Sequence, residues 1–166
     1  MRSVADFYQD CMAVAHALPP LDVQLADAVS CVLAEDVQAP FNLPVADLSA
    51  CDGYAVRIRD CEGATLESPV TLPVTEEIRA GAVDPAALVP GTAIRIASGA
   101  PMPSGAEAVV SLEFTDHGIA QVALRTAPAN GENIRRRAED VAQGDTVLRS
   151  GTRIGARQMA LLAGVG

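Results

Sequence analysis

Pro44-Val-Ala-Asp-Leu-Ser-Ala-Cys-Asp-Gly-Tyr-Ala-Val56 sets Asp47, Ser49 and Asp52 on irregular chain immediately before an apolar strand. Prolines at 40 and 44 keep the approach extended, and Gly53 lets the backbone turn where a Cβ would clash, so a rigid neighbour can aim Asp52. Polar side chains on a loop held by a scaffold are where chemistry tends to sit. An Asp-Gly pair by itself marks only a turn, so the reading depends on what lies further along the chain.

Two later segments supply that context. Ile94-Arg-Ile-Ala-Ser-Gly-Ala-Pro-Met-Pro-Ser-Gly-Ala-Glu-Ala-Val-Val110 reads as a buried strand, a Ser98-Gly99 turn, a proline-stiffened loop and a second strand. Ser98 and the amides after it could cradle an anion. Gly131-Glu-Asn-Ile-Arg-Arg-Arg-Ala-Glu-Asp140 packs Arg135, Arg136 and Arg137 against Glu139 and Asp140. An alternating strand would split those charges between its two faces, where they can either bind an anion or form a salt-bridge network.

In this order the three segments resemble the molybdopterin molybdenumtransferases, the MoeA family, whose eukaryotic relative is the gephyrin E domain. The family pattern is Asp-Asn-Ser-Ala-Met-Asp-Gly-Tyr-Ala, then Arg-Ile-Met-Thr-Gly-Ala-Pro, then Gly-Glu-Asn-Ile-Arg-Arg-Arg-Gly-Glu-Asp. Leu48 stands here for Asn, Cys51 for Met, Ser98 for Thr and Ala138 for Gly. Ser98 keeps the hydroxyl and Cys51 keeps a sulfur. Leu48 replaces an amide with an alkyl group, so any hydrogen bond the family makes there is lost or replaced.

The resemblance implies an α+β, mainly β fold. An elongated first domain with an N-terminal helix would be built from residues 1–45 and 139–155, with a small β-rich domain of residues 46–138 inserted into it. Residues 156–166 would begin a following α/β domain. The apolar ending Leu162-Ala-Gly-Val-Gly166 fits a sequence cut at a domain junction.

The implied activity is insertion of molybdenum, from molybdate, into adenylylated molybdopterin with release of AMP and use of magnesium. Matching motif positions makes Asp52, Ser98 and Asp140 the catalytic candidates, with Asp52 also a metal ligand. Ser98, Gly99, Arg135, Arg136 and Arg137 become the anion-binding group. The family's homodimer would make this stretch one wall of a shared active site, inactive by itself. The alternative is a non-catalytic dimerisation or interaction module that docks on other proteins of the molybdenum cofactor pathway. A free-standing carboxylate-dependent hydrolase lacks a nucleophile–base pair.

Composition narrows the classes independently. The net charge of −9 opposes sequence-independent binding to nucleic acid or anionic membranes. All 12 basic residues are arginine, which excludes Schiff-base chemistry and a Walker-type phosphate loop from these residues. Cys11, Cys31, Cys51 and Cys61 form no CxxC pair and read as free thiols. No signal pattern precedes the first helix, and no stretch approaches the roughly 18 apolar residues of a membrane span, so a cytoplasmic protein is expected.

Along the chain, Ser3 caps a predicted helix running to Leu18, with Val4, Phe7, Tyr8, Cys11, Val14, Ala15 and Leu18 on one face. Short strands are predicted at 21–25 and 35–38, with a helix over 26–33 between them. Further strands are predicted at 54–58, 70–74, 93–97, 108–114, 119–124 and 146–148, with a helical turn at 84–88 and a helix over 155–163. Asp116-His-Gly118 reads as a hairpin turn. His16 and His117 read as structural or solvated.

Overall fold

The computed structural model describes residues 2–16 and 18–166. Its elements in chain order are α1 (Val4–Val14), β1 (Val37–Gln38), β2 (Leu48–Ser49), β3 (Gly53–Val56), β4 (Val70–Ile78), β5 (Ala93–Ile96), β6 (Ala108–Ser111), β7 (Gln121–Leu124), β8 (Ile134–Arg135), β9 (Thr146–Leu148) and α2 (Ala156–Val165). The fold is mixed and dominated by sheet, as the sequence predicts. The chain divides into two compact units, one of residues 1–37 and 148–164 and one of residues 38–147 with 165–166.

In the first unit, α1 begins as predicted. Ser3 Oγ accepts the Asp6 amide at 3.1 Å while the Ser3 amide donates to Asp6 Oδ2 at 3.2 Å, a reciprocal capping box. The helix stops at Val14, with Ala15 already extended, rather than reaching Leu18. A residue before proline is driven out of the helical region, and Leu18 precedes Pro19. His16 therefore lies past the helix, and Ala17 lies outside the described residues. None of the residues of α1 is buried, so its apolar face is left uncovered among the described residues.

The predicted strand at 21–25 and helix over 26–33 are replaced by irregular chain and a single 3-10 turn, Leu25–Asp27. Ser30 sits at φ 68°, which a right-handed helix cannot accommodate. Pairing with distant residues wins instead: the Ser30 amide donates to Ile154 O at 2.8 Å and the Leu33 amide to Thr152 O at 3.0 Å. The Ile154 amide returns to Cys31 O at 2.9 Å. Ala28 is buried, while Val29 and Val32 of the expected stripe are exposed.

The second unit is built on a five-stranded sheet in the order β6-β3-β5-β4-β7. Antiparallel pairs join β6 to β3, β3 to β5 and β4 to β7, whereas β4 and β5 run parallel. A parallel pair requires a crossover. Residues 79–92 provide it without a helix, since Asp84 takes φ 55° and the Leu88 amide bonds to Ser104 O at 2.9 Å. Those two features also displace the helical turn predicted at 84–88.

The two edges of the sheet approach each other. Thr115, three residues past the 3-10 start that follows β6, bridges Leu124, and the Arg125 amide donates to Phe114 O at 2.8 Å. The Asp116–Gly118 turn sits in this closure, with Asp116 Oδ1 accepting the Gly118 and Ala123 amides at 3.1 and 2.9 Å. His117 occupies φ 60° there and is exposed.

Alternation along the strands feeds two cores. Tyr54, Val56, Leu72, Ala93, Val110, Val122 and Leu124 pack on one face together with Cys61. Ala55, Ile78, Ile94, Ile96 and Val109 pack on the other, under Leu88 and Ala100. Each fully buried aliphatic side chain contributes about 1.5–3 kcal/mol, so the sheet is anchored on both sides. That anchoring makes it a firm base for the loops that leave its strand ends. All four cysteines are free: Cys11 and Cys31 are exposed, Cys51 is half-buried, and burial pushes the Cys61 thiol up to about 11.

Candidate functional site

Asp52 immediately precedes β3, and Gly53 fixes where it can lie. Gly53 is not a left-handed turn residue. A Cβ on it would overlap the Val110 carbonyl oxygen and lie 2.9 Å from Val109 Cγ1, so glycine is required for the close approach of β3 to β6. The Asp52 carbonyl accepts the Leu112 amide at 3.1 Å, fixing the main chain on the other side.

The structure brings the first two sequence motifs together. Asp52 Oδ1 accepts the Ser98 amide at 2.7 Å, and Ser98 Oγ donates to Ala50 O at 3.3 Å. Three backbone bonds lace the segments further: Gly99 N to Ser49 O at 2.8 Å, Ser49 N to Ala100 O at 2.9 Å and Met102 N to Asp47 O at 2.9 Å. Ser49 is buried and its hydroxyl donates to Cys51 O at 2.6 Å, so it stiffens the loop from within. The amides after Ser98 expected to help cradle an anion are already engaged, Gly99 by Ser49 O and Ala100 by Ala97 O at 3.0 Å. The Ser98 hydroxyl, exposed and on a longer bond, is the donor left to meet a ligand.

The third motif flanks the same loop. β2 pairs antiparallel with β8, matching Leu48 to Arg135 and Ser49 to Ile134. Leu48 also bridges Pro101. An alkyl side chain in place of the family's amide therefore leaves the backbone pairing of this position in place.

Asp47 Oδ2 accepts from the Arg136 guanidinium at 2.7 Å and Oδ1 from the Arg137 amide at 2.8 Å. One Arg135 nitrogen reaches both Asp140 oxygens, at 2.7 and 2.6 Å, and Glu139 Oε2 accepts the Arg136 amide at 2.8 Å. Of the three arginines, two are thus held by carboxylates of this chain, and Arg137 contributes its amide to the clamp while its side chain is exposed. No hydrogen bond or ion pair joins Asp52 to Asp140 among the described residues.

The Arg137 amide and the Arg136 guanidinium hold the Asp47 carboxyl below its ordinary value, against partial burial. A depressed folded-state value means that this clamp stabilises the protein above the unfolded carboxylate value, about 3.9, and that the stabilisation is lost as pH falls through the lower folded value. Acid titration followed by amide spectra is expected to loosen residues 135–137 only below about pH 4, and Asp47→Asn should remove that transition.

Ala138 sits at φ 64°, where the family motif has glycine. A Cβ there costs roughly 1–2 kcal/mol, so Ala138→Gly is expected to raise stability by about 1 kcal/mol in denaturant melts.

A cleft of about 150 Å³ opens beside Asp52, lined by Gly53, Glu77, Arg95, Ile96, Ala97 and Leu112. Glu77 and Arg95 were not apparent as site residues from sequence. The signal for Arg95 is that it opens the motif Arg95-Ile-Ala-Ser-Gly-Ala-Pro101 and puts a charge at the centre of the apolar run Ile94-Arg95-Ile96.

Among the described residues, no group of three or more His, Cys, Asp or Glu is placed to hold a metal ion. Magnesium takes one or two carboxylates and completes its shell with water and phosphate oxygens. Asp52 would be the residue to hold such an ion, with Oδ2 left for it because Oδ1 holds the Ser98 amide.

The family model described as MoeA N-terminal region (domain I and II) matches residues 2–166. The chain belongs to this family. Molybdopterin molybdenumtransferase 2 of Mycobacterium tuberculosis (strain ATCC 25618 / H37Rv) is 47% identical over 166 residues, covering 100% of this chain and 41% of the relative. Molybdopterin molybdenumtransferase of Bacillus subtilis (strain 168) is 40% identical over 148 residues, covering 87% of this chain and 34% of the relative. The crystal structure of the molybdopterin biosynthesis MoeA protein from Pyrococcus horikoshii OT3 superposes with a TM-score of 0.82 at 38% identity, over 87% of this chain and 38% of that one. This MoeA chain therefore spans well under half the length of each of these relatives.

Proposed function

We propose that this chain is the front portion of an enzyme of molybdenum cofactor biosynthesis, which inserts molybdenum from molybdate into adenylylated molybdopterin and releases AMP. The observation that carries this reading is the Asp52 carboxylate, oriented by the Ser98 amide at 2.7 Å on the rim of a cleft, within a chain of the MoeA family.

The reaction makes definite demands. Dithiolene sulfurs must displace oxygen from molybdate as water, and a phosphoanhydride must be hydrolysed to free AMP. Both steps need donors for anionic oxygens and a carboxylate that handles a proton or a metal-bound water. Asp52 supplies the carboxylate. The Ser98 hydroxyl faces a phosphate or molybdate oxygen, with Gly99 keeping the turn that presents it. Magnesium, bound through Asp52 and substrate phosphates, would neutralise charge at the anhydride. Arg135–Asp140 and Arg136–Asp47 hold the loop in register, and Arg137 is the exposed guanidinium of the motif.

The reading extends to the whole protein. Residues 46–138 form a domain inserted into a first domain of residues 1–45 and 139–155, and 156–166 lead into a third. The compact unit of residues 38–147 supports an insertion, with wider edges. A homodimer with this chain as one wall of the active site is supported by the uncovered apolar residues of α1, including Phe7 and Tyr8. The same residues favour the second reading, a non-catalytic module that docks on pathway partners. The free thiols fit a reducing, cytoplasmic compartment.

The test is to supply the full-length protein with adenylylated molybdopterin, magnesium and molybdate and to follow AMP. Molybdate-dependent AMP release supports the enzyme. A full-length, folded protein that releases none leaves the interaction module in its place.

A further inference from the structure

The cleft beside Asp52 holds one guanidinium that no carboxylate of the described residues claims. Arg95 lies in the centre of β5, half-buried between Ile94 and Ile96. Strand register sets it opposite Tyr54 on β3 and opposite Glu77 on β4, so the three side chains stand in a row on one face of the sheet. The irregularity between Val74 and Glu76 creates this row. Without the extra residue, Glu76 would stand opposite Arg95 and Ile78 would turn to the other face.

Packing accounts for the stem of Arg95 but not for its charge. Tyr54 is fully buried, with its hydroxyl donating to Gly118 O at 2.9 Å, and the alkyl part of Arg95 can cover it. Methionine would serve that purpose equally well. The guanidinium lies near enough to the phenol to oppose the rise that burial imposes on it. Ion pairs elsewhere use the other candidates: Glu77 faces Arg79 at 3.6 Å, Arg135 faces Asp140 and Arg136 faces Asp47. Arg95 instead lines the cleft with Asp52 and a second one of about 230 Å³ with Thr75, Glu76 and Ile119.

We propose that Arg95 binds a tetrahedral oxyanion, phosphate or molybdate, at the rim of the Asp52 cleft, with Glu77 weakening its hold so that the anion can leave. The guanidinium fork matches such an anion. This rests on the reading that the substrates of the cleft are anionic, and it moves the anion-holding role from the Arg135–Arg137 run to a strand residue that run does not contain.

The experiment titrates this chain with inorganic phosphate, AMP and molybdate separately, at constant ionic strength made up with chloride, and follows the Arg95 side-chain Nε–H resonance. A saturable shift with phosphate and AMP alone assigns the anion to the pterin's phosphates. A shift with molybdate alone assigns it to the metal oxyanion, and shifts with all three show the shared chemistry. Arg95→Met should abolish the shift of the neighbouring Ala97 amide, with the rest of the spectrum unchanged. Glu77→Gln should tighten binding about two- to fivefold, as removal of one surface charge does, and keeps the test open if Arg95→Met does not fold. No saturable shift with any of the anions, or unchanged affinity in both variants, overturns the assignment. AMP release by the full-length protein is read separately, so the enzyme reading and the role of Arg95 can fail independently.

Discussion

The full-length protein carrying Asp52→Asn is expected to release AMP on the order of 10²- to 10⁴-fold more slowly, with its melting temperature unchanged. The structural part of Asp52 is the acceptance of the Ser98 amide by Oδ1, which an asparagine carbonyl reproduces. The four other bonds that tie residues 47–52 to residues 97–102 do not use the carboxylate. What the substitution removes is the negative charge and the basic oxygen Oδ2 at the mouth of the cleft. Rate and melting temperature measured on the same preparation separate the two contributions. A loss of rate accompanied by unfolding would make Asp52 structural.

Gly53→Ala has the opposite profile. It is expected to destabilise the unit of residues 38–147 by about 3 kcal/mol or more, because the new methyl group overlaps a backbone oxygen that cannot rotate away. Val110 belongs to β6, which is paired with β3 along its whole length, so relief requires β6 to separate from β3. For a domain of this size that loss lowers the melting temperature by more than about 10 °C. Gly99→Ala is a useful contrast, since a Cβ there meets nothing within 4 Å and only the φ of 77° is strained. Thermal melts of the two variants should differ by well over 1 kcal/mol. Similar melts would mean that the approach of β3 to β6 is not what fixes the Asp52 loop.

Much of this arrangement is legible in the sequence, and for identifiable reasons. The strands at 53–56, 93–96 and 121–124 announce themselves as short apolar or alternating runs between glycine, proline and aspartate. Ser3 announces a capped helix. The three motifs around Asp52, Ser98 and Arg135–Asp140 read as loops that bear polar groups, and all three fall on the unit that carries the cleft.

Other features depend on partners far away in the chain. The parallel pairing of β4 with β5 is set by a crossover of irregular structure, which carries no periodic signal. The stretch 26–33 has helical spacing, yet residues 151–154 capture its backbone. The Gly99 amide reads as a free donor until the loop of residues 47–52 is laid against it. Arg95 and Glu77 meet only because a bulge in β4 shifts the register by one.

The central claim is that Asp52 acts on substrate while Asp140 holds Arg135. The most direct measurement compares AMP release and melting temperature for Asp52→Asn and Asp140→Asn in the same full-length protein. The predicted result is at least about a 100-fold loss of rate at unchanged melting temperature for Asp52→Asn, and less than about a tenfold loss for Asp140→Asn. A folded Asp52→Asn protein that turns over at the wild-type rate, or an Asp140→Asn protein as damaged in rate as Asp52→Asn with its melting temperature intact, would contradict it.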